Sequence, residues 1–330
     1  MPVTDPPSAV DPDDPHAEPP APACVILFNG SDPSGAGGLA GDIATVSAMG
    51  AHPLPVVTTI VMRDTAEIFD QHPIDPDVVV EQARSILEDV TVAGWKVGFL
   101  GSAEAVGAVA EVLSDYNDIP LVAYMPGLAW LEDDQLQPYL EAWRELILPA
   151  TEVLVGNHQT LQDLLLPDWD QERPASPREL AVAASEHGTR YVLVTGIALP
   201  SKGPEQYVDN VLASAQGAIT GEKFERFDAA FVGSGDTLAA ALAALLASGS
   251  ELQAAVGEAL TFLDQSLDAG FRPGMGHIVP DRFFWALPPA DEDGEGGGPD
   301  GPGGPEGGPP EPDAPEPADS KTRGAPRRVH

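Results

Sequence analysis

Short, nearly uninterrupted apolar runs alternate with amphipathic stretches through the middle of the chain, and this alternation constrains the fold more than any other feature. Cys24–Phe28, Leu54–Val61, Trp95–Leu100, Leu121–Tyr124, Glu152–Val155 and Tyr191–Val194 read as buried strands. Between them Ala36–Met49, Pro76–Glu88, Ala103–Tyr116, Asp133–Leu146, Leu161–Leu165 and Ser176–His187 read as helices. Strands apolar on both faces need helices over both faces, and repeated strand–helix units pair strands in parallel through crossovers. Two late helices, Thr237–Ser248 and Leu252–Ala269, complete a three-layer α/β/α sandwich with a mostly parallel central sheet. In such sheets ligands bind beyond the carboxyl ends of the strands.

The ends are different material. Residues 1–22 are crowded with Pro, Asp and Ala, and residues 289–330 form a Gly/Pro/acidic run without apolar periodicity. Neither can bury enough surface to offset chain entropy, so both are expected to be disordered tails around one folded unit, 23–288. Of the formal net charge of -36, the tails carry a minority: five acids and no Lys or Arg in the first, ten acids against four bases in the second. An acidic body with only four Lys in the whole chain argues against nucleic acid or an anionic membrane as partner. It suggests a high-salt cytoplasm; compositional drift in a GC-rich genome is the alternative. Cys24 is alone, which excludes disulfides and Cys metal sites. No apolar stretch approaches a membrane span and no signal peptide is visible, so the expected compartment is the cytosol.

Two Gly-rich segments carry the chemistry. Gly233-Ser-Gly-Asp236 runs directly into an Ala/Leu-rich helix. Small residues at a helix start let backbone N–H groups point at a phosphate, and Asp236 beside them could accept the proton of an attacking hydroxyl. An ordinary capped helix start is the plainer reading. Asn29–Asp42 is the second segment: its glycines permit close backbone approach, while Asp32 and Ser34 supply polar groups. It is neither a Walker loop nor a dinucleotide fingerprint. Both segments are expected to follow a strand, precede a helix and face one cleft.

Gly30-Ser-Asp-Pro-Ser-Gly-Ala-Gly37 with Asp42 and Ser47–Gly50, Trp95-Lys-Val-Gly-Phe-Leu-Gly-Ser102, Val192-Leu-Val-Thr-Gly196, Gly233–Ala240, and Gly270-Phe-Arg-Pro-Gly-Met-Gly276 with Phe284-Trp-Ala286 occur in one order and spacing. Over about residues 24–286 this series resembles the hydroxymethylpyrimidine/phosphomethylpyrimidine kinases of thiamine biosynthesis, in the ribokinase superfamily. The resemblance implies a ribokinase-like sandwich that moves the ATP γ-phosphoryl group, usually with Mg²⁺, to a pyrimidine hydroxymethyl and then to its monophosphate. It implies a catalytic set of Gly233, Ser234, Gly235 and Asp236. It also implies a pyrimidine pocket at Asn29, Gly30, Asp32, Arg63 and Phe99, and nucleotide contacts at Asn157, Thr195 and Gly196. A homodimer is left open, and no metal ligand is assigned.

The departures from the family pattern are specific. Asp236 stands where these kinases usually carry Cys, and is the base of the wider superfamily. Tyr124-Met-Pro126 replaces Asp-Pro-Val, and Thr160 in Gly156-Asn-His-Gln-Thr160 replaces an acid, so two carboxylates near the expected metal are missing. Asn29, Arg63 and Phe99 replace Ala, Gln and Met at the pocket. Gln donates and accepts whereas Arg only donates, so Arg63 implies an anionic substrate group, an ion pair with a carboxylate such as Asp42 or Asp64, or a solvent-facing side chain.

Weaker features complete the reading. His277 reads as a structural residue, the five dispersed Trp as packing, and Lys96 as a strand-end Lys rather than a phosphate ligand. Three functions follow: an active pyrimidine kinase, a related kinase with a shifted, pyridoxal-like substrate, or a non-catalytic binding paralogue. The charge makes its own prediction: if the acidic body is adapted to salt, its melting temperature rises as KCl increases from low to molar concentration, through screening of carboxylate repulsion. A flat or falling midpoint rejects that adaptation.

Overall fold

Residues 21–200, 203 and 205–286 are described by the computed structural model. The expected tails, 1–22 and 289–330, lie outside them apart from Ala21 and Pro22. The strands are β1 (Cys24–Ser31), β2 (His52–Arg63), β3 (Ile68–Pro73), β4 (Val92–Val97), β5 (Leu121–Tyr124), β6 (Val153–Asn157), β7 (Tyr191–Ala198), β8 (Tyr207–Ser214) and β9 (Gly217–Glu225). They form one sheet in the order β3-β2-β1-β4-β5-β6-β7-β8-β9. From β2 to β7 every pairing is parallel; β3 joins β2, and β8 and β9 follow β7, in antiparallel fashion.

Period-two alternation along β1 divides the core. Val25 and Leu27 face α1 (Gly38–Ala48), α7 (Ser234–Ala247) and α8 (Leu252–Asp268). Ile26 and Phe28 face the layer of α2 (Pro76–Leu87), α3 (Ala103–Ser114), α4 (Asp133–Ala142), α5 (His158–Leu165) and α6 (Pro177–Glu186). Along α7 every residue from Thr237 to Leu245 is buried. Its Ala/Leu composition suits that place, because small side chains let it lie close on the sheet while Leu fills the space between layers.

Helix starts follow the sequence chemistry. Asp75, Ser102, Asn157 and Ser176 each cap a helix through a side-chain oxygen, and Ser176 forms a full capping box with Glu179. By contrast α1 and α7 start at Gly37 and Gly233 with no side-chain cap. These two starts meet at the carboxyl end of β1.

The expected helix Asp133–Leu146 is α-helical only to Ala142 and continues as a π-helical turn, Trp143–Ile147. The strand expected over Trp95–Leu100 ends at Val97. The segment before Gly233 is not a named strand; Phe231 makes one isolated bridge to Ile278. No described helix is long and apolar enough to cross a membrane.

The turn after β4 is held by the buried Tyr139, whose hydroxyl accepts the Leu100 N–H at 3.0 Å. Tyr139→Phe leaves that buried amide unpaired, which costs ~1–3 kcal/mol. Equilibrium urea unfolding is expected to show a lower midpoint with unchanged slope; an unchanged midpoint contradicts the role.

Candidate active site

Asp32 fixes the loop that leaves β1. Its Oδ1 accepts the backbone N–H and the hydroxyl of Ser34 (2.8 and 2.6 Å), and its Oδ2 accepts the N–H of Gly37 at 3.1 Å. Arg63, at the end of β2, pairs with the same Oδ2 at 3.5 Å and donates from Nε to the Asp64 carbonyl. The partner of Arg63 is therefore Asp32, not the carboxylate of Asp42 or Asp64.

Gly233 starts α7 with φ of 87°, a left-handed conformation that favours Gly, and it packs on the Ala36 carbonyl too closely for a Cβ. Two residues on, the Tyr124 ring covers Gly235, which likewise has no room for a Cβ. The N–H groups of Ser234, Gly235 and Asp236 have no acceptor among the described residues. Three backbone donors are therefore open at this helix start.

Three charged side chains meet beneath this turn. Lys96 of β4 and Asp42 of α1 are both fully buried, and the Lys96 ammonium donates to Asp42 Oδ2 at 2.9 Å and to Asp236 Oδ1 at 2.6 Å. Asn29 donates from Nδ2 to the same two oxygens, each at 2.8 Å, and its Oδ1 accepts the N–H groups of Gly30 and Phe99. Asp236 Oδ2 accepts the Gly38 N–H at 3.0 Å, so this carboxylate also closes the first turn of α1. About four acceptor positions belong to a carboxylate, and one on Asp236 Oδ2 is left open. The Asp236 side chain keeps 15% of its surface exposed.

The electrostatics of the three are coupled. Burial disfavours ionised Asp236, but Lys96, the Gly38 N–H and Asn29 outweigh it and hold this carboxyl below its ordinary range. Burial pushes Asp42 up to about 7 against the pull of Lys96, and the charge of Asp236 adds to the rise. Asp42 Oδ1 has no hydrogen-bond partner. Lys96 keeps its proton, because the two carboxylates overcome the burial that opposes it.

Arg282 lies behind the same turn with 5% of its surface exposed. Its guanidinium donates to the Ala36 carbonyl and to Thr237 Oγ1 (3.0 Å), with a longer contact to the Gly35 carbonyl at 3.5 Å. It thereby ties the β1–α1 loop to the first turn of α7.

The remaining sequence candidates divide. Asn29 is 2% exposed and its amide is fully engaged by protein, which leaves no donor or acceptor for the pyrimidine contact expected of it; it bridges the carboxylates instead. Phe99 packs its ring on Trp130 and Tyr139, and Gly30 lies against Thr59 and Val61. Asn157 caps α5 at the end of β6, beside Thr195 of β7 in the sheet register. The neighbouring Gly196 gives its N–H to Asn210. This group lies at the carboxyl ends of the strands, as does Asn29, but across β4 and β5 from β1. His277 gives its backbone N–H to the Thr65 carbonyl, and Gly276 donates to Thr65 Oγ1.

The profile of the phosphomethylpyrimidine kinase family matches residues 32–281. The chain belongs to that family. It is 30% identical over 270 residues to the hydroxymethylpyrimidine/phosphomethylpyrimidine kinase of Streptomyces coelicolor, covering 82% of this chain and 97% of the relative. To the Escherichia coli protein of the same name it is 31% identical, over 79% of this chain and 97% of the relative. Among solved structures, an ADP complex of Bacillus subtilis pyridoxal kinase superposes with a TM-score of 0.69 at 22% identity, over 81% of this chain and all of that one, which supports the ribokinase-like fold.

Membership of this kinase family makes Mg²⁺ an expected companion, one that such sites hold through one or two carboxylates and the nucleotide phosphates rather than a protein cage. Among the described residues no three His, Cys, Asp or Glu side chains converge. At the first position where the pattern expects an acid, Tyr124 presents a phenol whose ionisation burial, then Asp236 and Asp42, suppress. At the second, Thr160 gives its backbone N–H to the Asn157 cap.

Sequence reasoning underrated Lys96 and missed Arg282. A Lys inside a run as apolar as Trp95–Leu100 is the usable signal, since a buried ammonium demands buried anions; Arg282 offers none. Arg282→Met removes the donors to Ala36, Gly35 and Thr237, and ~1–3 kcal/mol of stability is expected to go with them. Arg282→Lys restores only part of the loss, because one ammonium cannot reach all three acceptors. Urea unfolding of both variants checks this; equal stability of Arg282→Met and wild type contradicts it.

Proposed function

We propose that the chain transfers the γ-phosphoryl group of ATP to the hydroxymethyl group of 4-amino-5-hydroxymethyl-2-methylpyrimidine and then to its monophosphate, a step of thiamine biosynthesis, with Asp236 as general base. The observation that carries the reading is the free acceptor position of the part-exposed Asp236 carboxylate beside three unpaired N–H groups at the start of α7. The substrate hydroxyl oxygen forms the new bond to γ-phosphorus, its proton passes to Asp236 Oδ2, and the bond from γ-phosphorus to the bridging oxygen breaks, releasing ADP. The N–H groups of Ser234, Gly235 and Asp236 stabilise the charge that develops on the transferring group.

Asp32, Arg63, Phe99 and Gly30 line the substrate side in this proposal, and Asn157, Thr195 and Gly196 the nucleotide side. The ADP held by the B. subtilis neighbour and the kinase names of the relatives support ATP as donor. Mg²⁺ would be held chiefly by the phosphates of ATP and by water, and would neutralise phosphate charge there. A second reading, a kinase of another hydroxymethyl heterocycle such as pyridoxal, is favoured by Arg63, whose guanidinium is spent on Asp32 at the position where the family pattern has a Gln able to donate to and accept from a neutral aminopyrimidine.

ATP consumption measured with hydroxymethylpyrimidine, its monophosphate and pyridoxal separates the readings: turnover is expected with the two pyrimidines, and turnover with pyridoxal alone selects the second. In whichever assay is positive, Asp236→Asn is expected to lower kcat by ~10²–10⁴-fold while nucleotide affinity, followed by calorimetry, stays nearly constant. An equally active variant removes Asp236 from the role.

A further inference from the structure

Asp236 as observed is an ion-paired carboxylate, and a one-to-one pair with Lys96 would make it a poor proton acceptor. The pair is not one-to-one. Lys96 is shared with Asp42, so two carboxylates and one ammonium lie together in the interior, the ammonium 2.9 Å from one and 2.6 Å from the other. Asn29 ties the two acids a second time. With both acids ionised the group carries one uncompensated negative charge, and Asp42 Oδ1, fully buried, has no donor to receive it.

We propose that Asp42 and Lys96 are positioning residues that make Asp236 a competent base: when Asp236 takes the substrate proton, the Lys96 ammonium is released to compensate Asp42 alone. This inference rests on the assignment of Asp236 as base. The proton balance is closed, since one O–H proton moves from substrate to Asp236 Oδ2, Lys96 stays protonated, and the buried group goes from one negative charge to none. The proton returns to solvent from the exposed edge of Asp236 after ADP leaves. Two carboxylates coupled through one ammonium titrate as a unit, and within it burial pushes Asp42 up to about 7 while Lys96 holds Asp236 down. Other charged or titratable groups facing the cluster are Arg282 behind the α7 turn, Tyr124 from β5 and Asp32 from the β1–α1 loop, the last paired with Arg63.

The sign of the pH effect follows. The cluster must have lost its proton before it can accept another, so kcat/KM falls as pH drops below the cluster's apparent pKa. Asp42→Asn keeps the shape, removes one negative charge and leaves Asp236 paired one-to-one; the acid limb is expected to move down by ~1 pH unit or more, with kcat ~10-fold or more lower and KM for ATP little changed. Lys96→Met removes the cation and moves the limb up. If Lys96→Met does not fold, Asp42→Asn alone decides. A role in stability only would lower the melting temperature of Asp42→Asn and leave the limb where it is, and that result overturns the proposal. The two readings fail separately: an active Asp236→Asn sinks the base assignment, whereas an inactive Asp236→Asn beside an unshifted limb in Asp42→Asn sinks only the coupling.

Discussion

The buried Lys96 ammonium, held between Asp42 and Asp236, is the interaction on which the site depends. Charges do not leave water without partners, so a Lys in a central strand dictates where two other elements must lie: α1 brings Asp42 to it and α7 brings Asp236. Once Asp236 is pinned there, its second oxygen takes the first N–H of α1, and the uncapped starts of both helices converge at the carboxyl end of β1. Removing Lys96 would leave two carboxylates as uncompensated buried charge, which is why three side chains from distant parts of the sequence act as a unit.

A ring of fitted backbone completes the arrangement. Arg282 clamps the β1–α1 loop to α7, Gly233 lets the two backbones touch, and Tyr124 covers Gly235. Small residues and a buried guanidinium thus position the open N–H groups of α7, while side-chain caps close the starts of α2, α3, α5 and α6. Two acids that the family pattern expects are replaced by Tyr124 and Thr160, and the carboxylate of Asp236 stands where that pattern has a thiol. At the centre the Lys96 ammonium lies 2.6 Å from Asp236, beneath the open N–H groups of α7.

The parallel part of the fold was legible because fully buried strands read as unbroken apolar runs. The expected strands at Leu121–Tyr124 and Cys24–Phe28 fall within the observed ones, whereas β3, β8 and β9 passed unseen. Those three pair antiparallel at the sheet edges, where half-exposed sequences such as Ile68-Phe-Asp-Gln-His-Pro73 carry too many polar residues to give a buried-strand signal. Asp236 and the Gly-rich loop were legible from local chemistry. The partners were not: Asn29 looked like a pocket wall and Lys96 like a strand end, because which charges meet is decided by crossovers that bring residues 42, 96 and 236 together. Arg63 was correctly read as open to an ion pair, yet its partner Asp32 lies on a loop whose course local sequence does not determine.

The proposed coupling, in which Asp42 and Asp236 share one proton near neutrality beside a protonated Lys96, is tested most directly without turnover. Carbon-13 NMR of protein labelled at the aspartate carboxyl carbons, titrated from about pH 5 to about pH 9, looks for an acid that ionises far above the usual ~4 of exposed Asp. The account predicts an aspartate titration step in the neutral range that is absent from Asp42→Asn. Completion of every aspartate titration below about pH 5 would show the acids to be independent and the coupling absent.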